Sequence, residues 1–206
     1  MATLLRLLLV LILAMRCAPG LADSASLFVQ AQSGDPTRYT DAISKGATFA
    51  YTSDNRSFYG WWQPANWTPS AGVIVPLHGT GGYATTGLSL WLPYAEARGH
   101  AILSLSWWFG SGDSTTDYYT PSEMYPLLSG ILNAKGVGSG QALFTAFSRG
   151  SANSYAVAAL DYARTGQRHF GLVHSNAGGA AVDYPPNKEI INGTYGALPF
   201  SGIPWA

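Results

Sequence analysis

The segment ALFTAFSRGSANSYAVAALDYA, residues 142–163, begins as a strand and ends as a helix. Residues 141–147 form a short apolar run, and Gly150 to Ala163 is alanine-rich with the spacing of a helix. At the junction stands Ala146-Phe147-Ser148-Arg149-Gly150, which has the form small-x-Ser-x-Gly. A serine on so sharp a strand-to-helix turn is held in a strained backbone conformation. Its neighbours two before and two after then approach one another, and a bulky Cβ at either would clash. The following helix points its unpaired N–H groups and positive dipole end at the serine, which favours an oxyanion there. Ala152, Ala156 and Ala159 are expected to line the helix face against the sheet. Ser148 therefore reads as a nucleophile, the alternative being a serine that only caps the helix. Ser151 is a rival, but it falls inside the helix and has Asn153 where the glycine should be.

Outward from this corner the chain alternates. Residues 47–52 and 57–63 read as a β-hairpin around Ser53-Asp54-Asn55-Arg56. Val73–Leu77 (VIVPL) is expected as a strand buried on both faces. Its Pro76 is compatible with that only where a hydrogen-bonded ladder ends. A helix over 86–98 should stop at Gly99, and 101–106 (AILSLS) is a second buried strand. Thr120-Pro121-Ser122-Glu123 carries a threonine cap, a proline at the first helical position and a glutamate three after the cap. That helix runs toward Lys135, with Pro126 and Gly130 expected to divide it. Residues 170–175 (FGLVHS) form a further strand. Strand, helix, strand, helix, strand, helix, strand predicts an α/β fold: a mostly parallel sheet with helices on both faces, preceded by a β-hairpin. The strand starts near Val73 and Ala101, and near Gln141 and Phe170, are 28 and 29 residues apart, as one βαβ unit requires. Ligands of such sheets bind at the carboxyl ends of the strands, so the turns after Leu77, Ser106, Phe147 and Ser175 are the places to look for chemistry.

After Leu77 comes His78-Gly79-Thr80-Gly81-Gly82. In a glycine-rich loop the backbone N–H groups can face a cavity. One of them, from Gly79 or Thr80, would join the N–H of Arg149 to hold the oxyanion of a tetrahedral intermediate, a donor worth about 10²–10³ in rate. The loop is neither G-x-G-x-x-G nor a G-K-[ST] phosphate cradle. His78 is expected to brace the turn rather than to react.

HGTGG after one strand and AFSRG on an elbow two strands later resemble the α/β-hydrolase superfamily, and within it the secreted esterase and polyester-depolymerase-like members. The resemblance covers about residues 47–180 and departs from the usual motif by Ala146 in place of its first glycine. It implies a serine hydrolase of carboxylic esters, with Ser148 as nucleophile and Gly79 or Thr80 with Arg149 as the oxyanion hole. The family's chain order is serine, acid, histidine. Of the four histidines only His169 and His174 follow Ser148. His169 is expected at the wrong end of the sheet; His174, near the carboxyl end of its strand, is the one histidine after the serine with a geometric chance of serving as base, and it reads rather as a core residue. Asp183 stands where some members carry the acid. On this reading 23–206 is one α/β-hydrolase domain lacking its C-terminal strands and histidine loop. It would turn over poorly without a base and would leave its last strand as a bare apolar edge.

The chain of 206 residues has formal net charge zero, 11% charged residues and 13% aromatic ones. No basic stripe suits nucleic acid, no His/Asp/Glu/Cys spacing suits a metal, and no cofactor is called for. Residues 4–15 (LLRLLLVLILAM) are apolar except for Arg6, and Gly20-Leu21-Ala22 follows. At about 14 Å as a helix, the run Leu7–Met15 is too short to span a bilayer. The pattern is that of a secretory signal cut after Ala22, which would leave a secreted or periplasmic protein without cysteine. An uncleaved anchor is the alternative, and Met15-Arg16 makes a poor lipidation site for Cys17. Low charge and secretion suit a neutral ester as partner: a polyester, an acylated polysaccharide or a lipid. Trp107 and Trp108, with Tyr118 and Tyr119, would form a stacking wall for sugar or an aromatic acyl group, or else cover the core. The rival from another class is a non-catalytic, carbohydrate-binding pseudo-hydrolase.

Overall fold

The structure is a computed structural model and describes residues 23–163, 168–179, 181–197 and 200–206. The segment read as a signal, with its cut after Ala22, and Cys17 lie outside the described residues. The elements in chain order are α1 Ser24–Gly34, α2 Pro36–Ser44, β1 Thr48–Tyr51, β2 Phe58–Trp62, β3 Val73–Leu77, α3 Ala84–Arg98, β4 Ala101–Leu105, α4 Pro121–Ala134, β5 Ala142–Phe147, α5 Arg149–Ala163, β6 Phe170–Asn176 and α6 Pro185–Ile191. The strands form one sheet in the order β1-β2-β4-β3-β5-β6. The hairpin joins it antiparallel, and β4, β3, β5 and β6 run parallel.

Alternation along the strands divides the core into two layers. Val73, Val75, Leu77, Leu103 and Phe144 pack with Met124, Tyr125 and Leu128 of α4 and Val157 and Ala158 of α5. Ile74, Ile102 and Trp62 face the other way, against Leu88, Leu92 and Ala95 of α3. Pro76 is tolerated in the middle of the sheet because β3 pairs with β4 only at Val73 and Ile74, so Pro76 lies past the end of that ladder. Gly99 ends α3 in the left-handed conformation, φ 73°. Thr120 and Glu123 form the reciprocal cap, with Thr120 N–H donating to Glu123 Oε2 at 2.9 Å and Glu123 N–H to Thr120 Oγ1 at 3.3 Å.

Three expectations are corrected. Helix α4 is continuous through Pro126 and Gly130. Pro126 forfeits only the bond to Ser122 near the helix start, while buried Tyr125, Leu128 and Leu132 hold the helix to the sheet. The alanines Ala156 and Ala159 do not face the sheet: they pack against Tyr195, Ile190 and Phe200, and α5 is buried on both sides. The edge of β6 is not bare, because the chain returns at residues 204–206. Val173 N–H donates to Pro204 O at 3.0 Å, and Ala206 N–H to Val173 O at 2.9 Å, in a parallel bridge. Helices α1 and α2 were not read from the sequence, although Asp23 caps the first through Ser26 N–H at 2.8 Å and Pro36 opens the second. Among the described residues no helix is long and apolar enough to cross a membrane.

Candidate active site

Ser148 occupies the corner between β5 and α5 with φ 53°. Only two other non-glycine described residues, Asn55 and Ala177, have positive φ. For a side-chain-bearing residue this left-handed conformation costs about 1–2 kcal/mol, so the surrounding structure must enforce it. It does so from two sides. Ser148 N–H donates to Asn176 O at 3.0 Å, at the carboxyl end of β6. Gly150 lies so close to the end of β3 that a Cβ there would come within 2.7 Å of both Leu77 O and His78 O. This is the close approach expected of the small residue two after the serine. The rival Ser151 is fully buried, with Oγ 2.8 Å from Ala146 O and 2.6 Å from Asn176 O, and is structural.

The glycine loop comes directly against the elbow. A Cβ on Gly79 would lie 3.2 Å from Ser148 Cβ and 3.2 Å from Phe147 Cδ1. The loop's peptides are held at their carbonyl ends. His78 O accepts from Trp107 Nε1–H at 2.9 Å. Gly79 O accepts from His78 Nδ1–H at 2.8 Å and from Gly82 N–H at 3.3 Å. In a planar trans peptide N–H and C=O point opposite ways, so these bonds also fix the N–H of Gly79 and of Thr80. Neither N–H has a hydrogen bond among the described residues, and neither does that of Arg149, which opens α5 and has no intrahelical carbonyl to reach. Amides without a partner among the described residues, on a loop that touches Ser148 and at the start of the helix after it, are donors of the kind that can hold a developing oxyanion.

His78 braces this loop, as expected. Its ring is buried, Nε2 accepts from Trp107 N–H at 3.2 Å, and the proton is therefore on Nδ1. Burial lowers its pKa to about 4, against a smaller opposing contribution from the bond to Gly79 O. Trp107 is a correction: it is fully buried, bonded to His78 and packed beside it, and presents no face to a substrate. Tyr118 and Tyr119 are also buried, so the stacking wall is in its main part a packed floor. Trp108 is half-exposed, leaning on Tyr83 and Tyr118 with its indole N–H on Gly112 O at 3.0 Å.

Arg149 sends its guanidinium over the Tyr118 ring, 4.3 Å from the centroid, and pairs with Asp113. Burial works against its charge, but Tyr118, Asp113 and Tyr184 outweigh this and raise its pKa. Asn153 Nδ2 donates to Arg149 O at 3.0 Å and to Tyr184 Oη at 2.7 Å. Two cavities lie near the elbow, and Ser148 lines neither. One of about 90 Å³ involves Gly79, Phe147, His174 and Asn176 on the α3 side. The other, of about 320 Å³, lies between Tyr118, Asn153, Tyr184 and Pro185.

The histidines after Ser148 are not brought to it. His169 is buried at the amino end of β6. His174 is the register partner of Thr145, to whose Oγ1 its Nδ1 is bonded at 3.0 Å. Its ring thus turns across the sheet, and Ser148 lies three residues, about 10 Å of strand, further along. His100 is bonded to Ala71 O at the start of β4. Asp183, considered as the acid, is almost fully exposed and faces Lys188 at 3.9 Å instead of a histidine. Asn176, Ala177 and Gly178 were missed by sequence reading. A Cβ on Gly178 would lie 2.4 Å from Ser148 O, so this turn closes the elbow from behind. Its only sequence signal is the glycine pair after β6.

A mixed sheet in this strand order, with a strained serine above its third parallel strand and helices on both faces, is the α/β-hydrolase fold. No protein-family model matches the chain, and no curated protein matches it. Solved structures do. A hyperthermophilic esterase from the archaeon Pyrobaculum calidifontis superposes with TM-score 0.54 at 10% identity, over 98% of this chain and 66% of its own. Esterase E25 superposes with TM-score 0.50 at 10% identity, over 74% of this chain and 48% of its own. An esterase/lipase from an uncultured bacterium gives TM-score 0.49 at 15% identity, over 63% of this chain and 43% of its own. The chain thus spans about half the length of several solved structures it matches.

Proposed function

We propose that this chain carries the nucleophile and oxyanion hole of a secreted serine hydrolase that cleaves a neutral carboxylic ester. The observation that carries the reading is the convergence at one point of a strained Ser148, φ 53°, and a glycine loop whose Gly79 leaves 3.2 Å between a Cβ and that serine. Ser148 Oγ would attack the ester carbonyl carbon while its proton passes to a base. The carbonyl oxygen would become an oxyanion held by the N–H of Arg149 and that of Gly79 or Thr80. Collapse returns the electron pair, expels the alcohol with the proton and leaves an acyl-serine, which water then hydrolyses. None of the four histidines is turned toward Ser148, so the base is proposed to come from residues outside these 206, together with the acid.

The fold shared with esterases supports the reading. The histidine geometry favours one second reading: a secreted protein that keeps this fold and binds carbohydrate without turnover. The two separate on p-nitrophenyl butyrate hydrolysis by the gene product, measured beside Ser148→Ala. The hydrolase reading expects activity at least ~10³-fold above the variant. Equal rates, with retention on polysaccharide, would establish the binding protein.

A further inference from the structure

We propose that Tyr118 is a positioning residue for the reaction at Ser148, its hydroxyl holding the oxyanion loop through Gly81 and its ring held in turn by Arg149. The inference deepens the hydrolase reading and rests on it. Gly82 N–H bonds back to Gly79 O at 3.3 Å, and within this turn Gly81 has φ 66° while Thr80 has none of the positive-φ character. That is a type II turn. Types I and II differ by rotation of the central peptide, here Thr80–Gly81, through roughly half a turn. Tyr118 Oη accepts from the N–H of that peptide, Gly81 N–H, at 3.2 Å. It therefore selects the type II form and fixes the backbone on the far side of Thr80. His78 and Gly82 pin the near side through Gly79 O. With both flanking peptides held, the Thr80 N–H has one direction.

Tyr118 is itself rigid. It is 3% exposed, lies 4.5 Å from the Trp107 ring and forms an antiparallel bridge with Trp108. The Arg149 guanidinium covers its ring at 4.3 Å and is anchored to Asp113 O at 2.8 Å. The residue after the nucleophile thus gives one oxyanion donor by its backbone and steadies the other through its side chain, by way of one tyrosine. Both halves of the hole are coupled through Tyr118.

The test is Tyr118→Phe in the gene product, beside wild type, Ser148→Ala and the exposed control Tyr94→Phe. Gly81 is exposed, so water can replace the lost acceptor and the fold should lose little. The expected result is a kcat about 10-fold lower with KM within about two-fold, the lost orientation being a fraction of the loss of a whole donor. Affinity for a trifluoromethyl ketone that adds to the serine should fall by the same factor, and the Gly81 amide resonance should move. Tyr94→Phe should match wild type. An unchanged kcat, or an unmoved Gly81 resonance, in Tyr118→Phe would overturn the inference and leave the hydrolase reading standing. A wild type no faster than Ser148→Ala would remove that reading, and this inference with it.

Discussion

Gly150→Ala is the substitution that probes the elbow most sharply, because two physical effects predict opposite signs. Gly150 is the second residue of α5. Helix propensity alone would make alanine more stable there by up to about 1 kcal/mol. The packing says otherwise. The new Cβ would meet Leu77 O and His78 O at 2.7 Å, both of them backbone atoms at the end of the central strand. An ordinary carbon–oxygen contact needs about half an ångström more, and overpacking of this kind costs about 1–3 kcal/mol. The net expectation is a loss of about 1 kcal/mol, seen as a lower urea midpoint with an unchanged slope. Gly130→Ala is the control: Gly130 is an exposed glycine of α4 with nothing within 4 Å of a Cβ, and the change there should gain about 0.5–1 kcal/mol. The peptide pushed aside by the new methyl group is the one joining His78 O to Gly79 N–H. If a misplacement of about 1 Å can cost about 10² in rate, half that shift should cost about 10-fold. A Gly150→Ala variant as stable as Gly130→Ala, with full activity, would refute the close approach.

Three further outcomes follow from the same geometry. Ser148→Gly should be more stable than Ser148→Ala by about 1 kcal/mol in thermal or urea unfolding, since glycine alone relieves the left-handed strain, while both abolish turnover. His78 has a folded pKa of about 4, below the unfolded 6.5, so the folded state binds fewer protons. Its stabilisation is complete above pH 6.5 and is lost as pH falls toward 4, by about 2 kcal/mol between pH 7 and pH 5; urea midpoints at these pH values should show the slope, reduced in His78→Asn. Trp107→Phe leaves His78 O without its buried donor and should cost about 1–3 kcal/mol, whereas Trp108→Phe, whose bond lies on an exposed loop, should cost less than about 1 kcal/mol in the same assay.

The strand and helix order was legible because each element carries a local signal: alternating or continuous apolar runs, the Thr120–Glu123 cap, the stop at Gly99. The elbow was legible for the same reason, since small residues around Ser148 answer a steric demand made within a few residues of chain. What sequence could not give was direction. Trp107 and Trp108 are adjacent and identical, yet one is buried under His78 and the other half-exposed, a choice made by the β4–α4 loop folding back through Tyr118. Ala156 and Ala159 gave the right helix and the wrong neighbour, because small residues permit close packing without saying against what. The pairing of residues 204–206 with β6 had no local signature, since a tripeptide that opens on proline joins a sheet only where an edge is offered.

The most direct measurement is to label the gene product with a fluorophosphonate and locate the adduct by peptide mass spectrometry. The account predicts a single adduct on Ser148, within the peptide 142–163, and none in Ser148→Ala. An adduct on Ser151 or another serine, or a gene product that hydrolyses esters while Ser148 stays unlabelled, would contradict it.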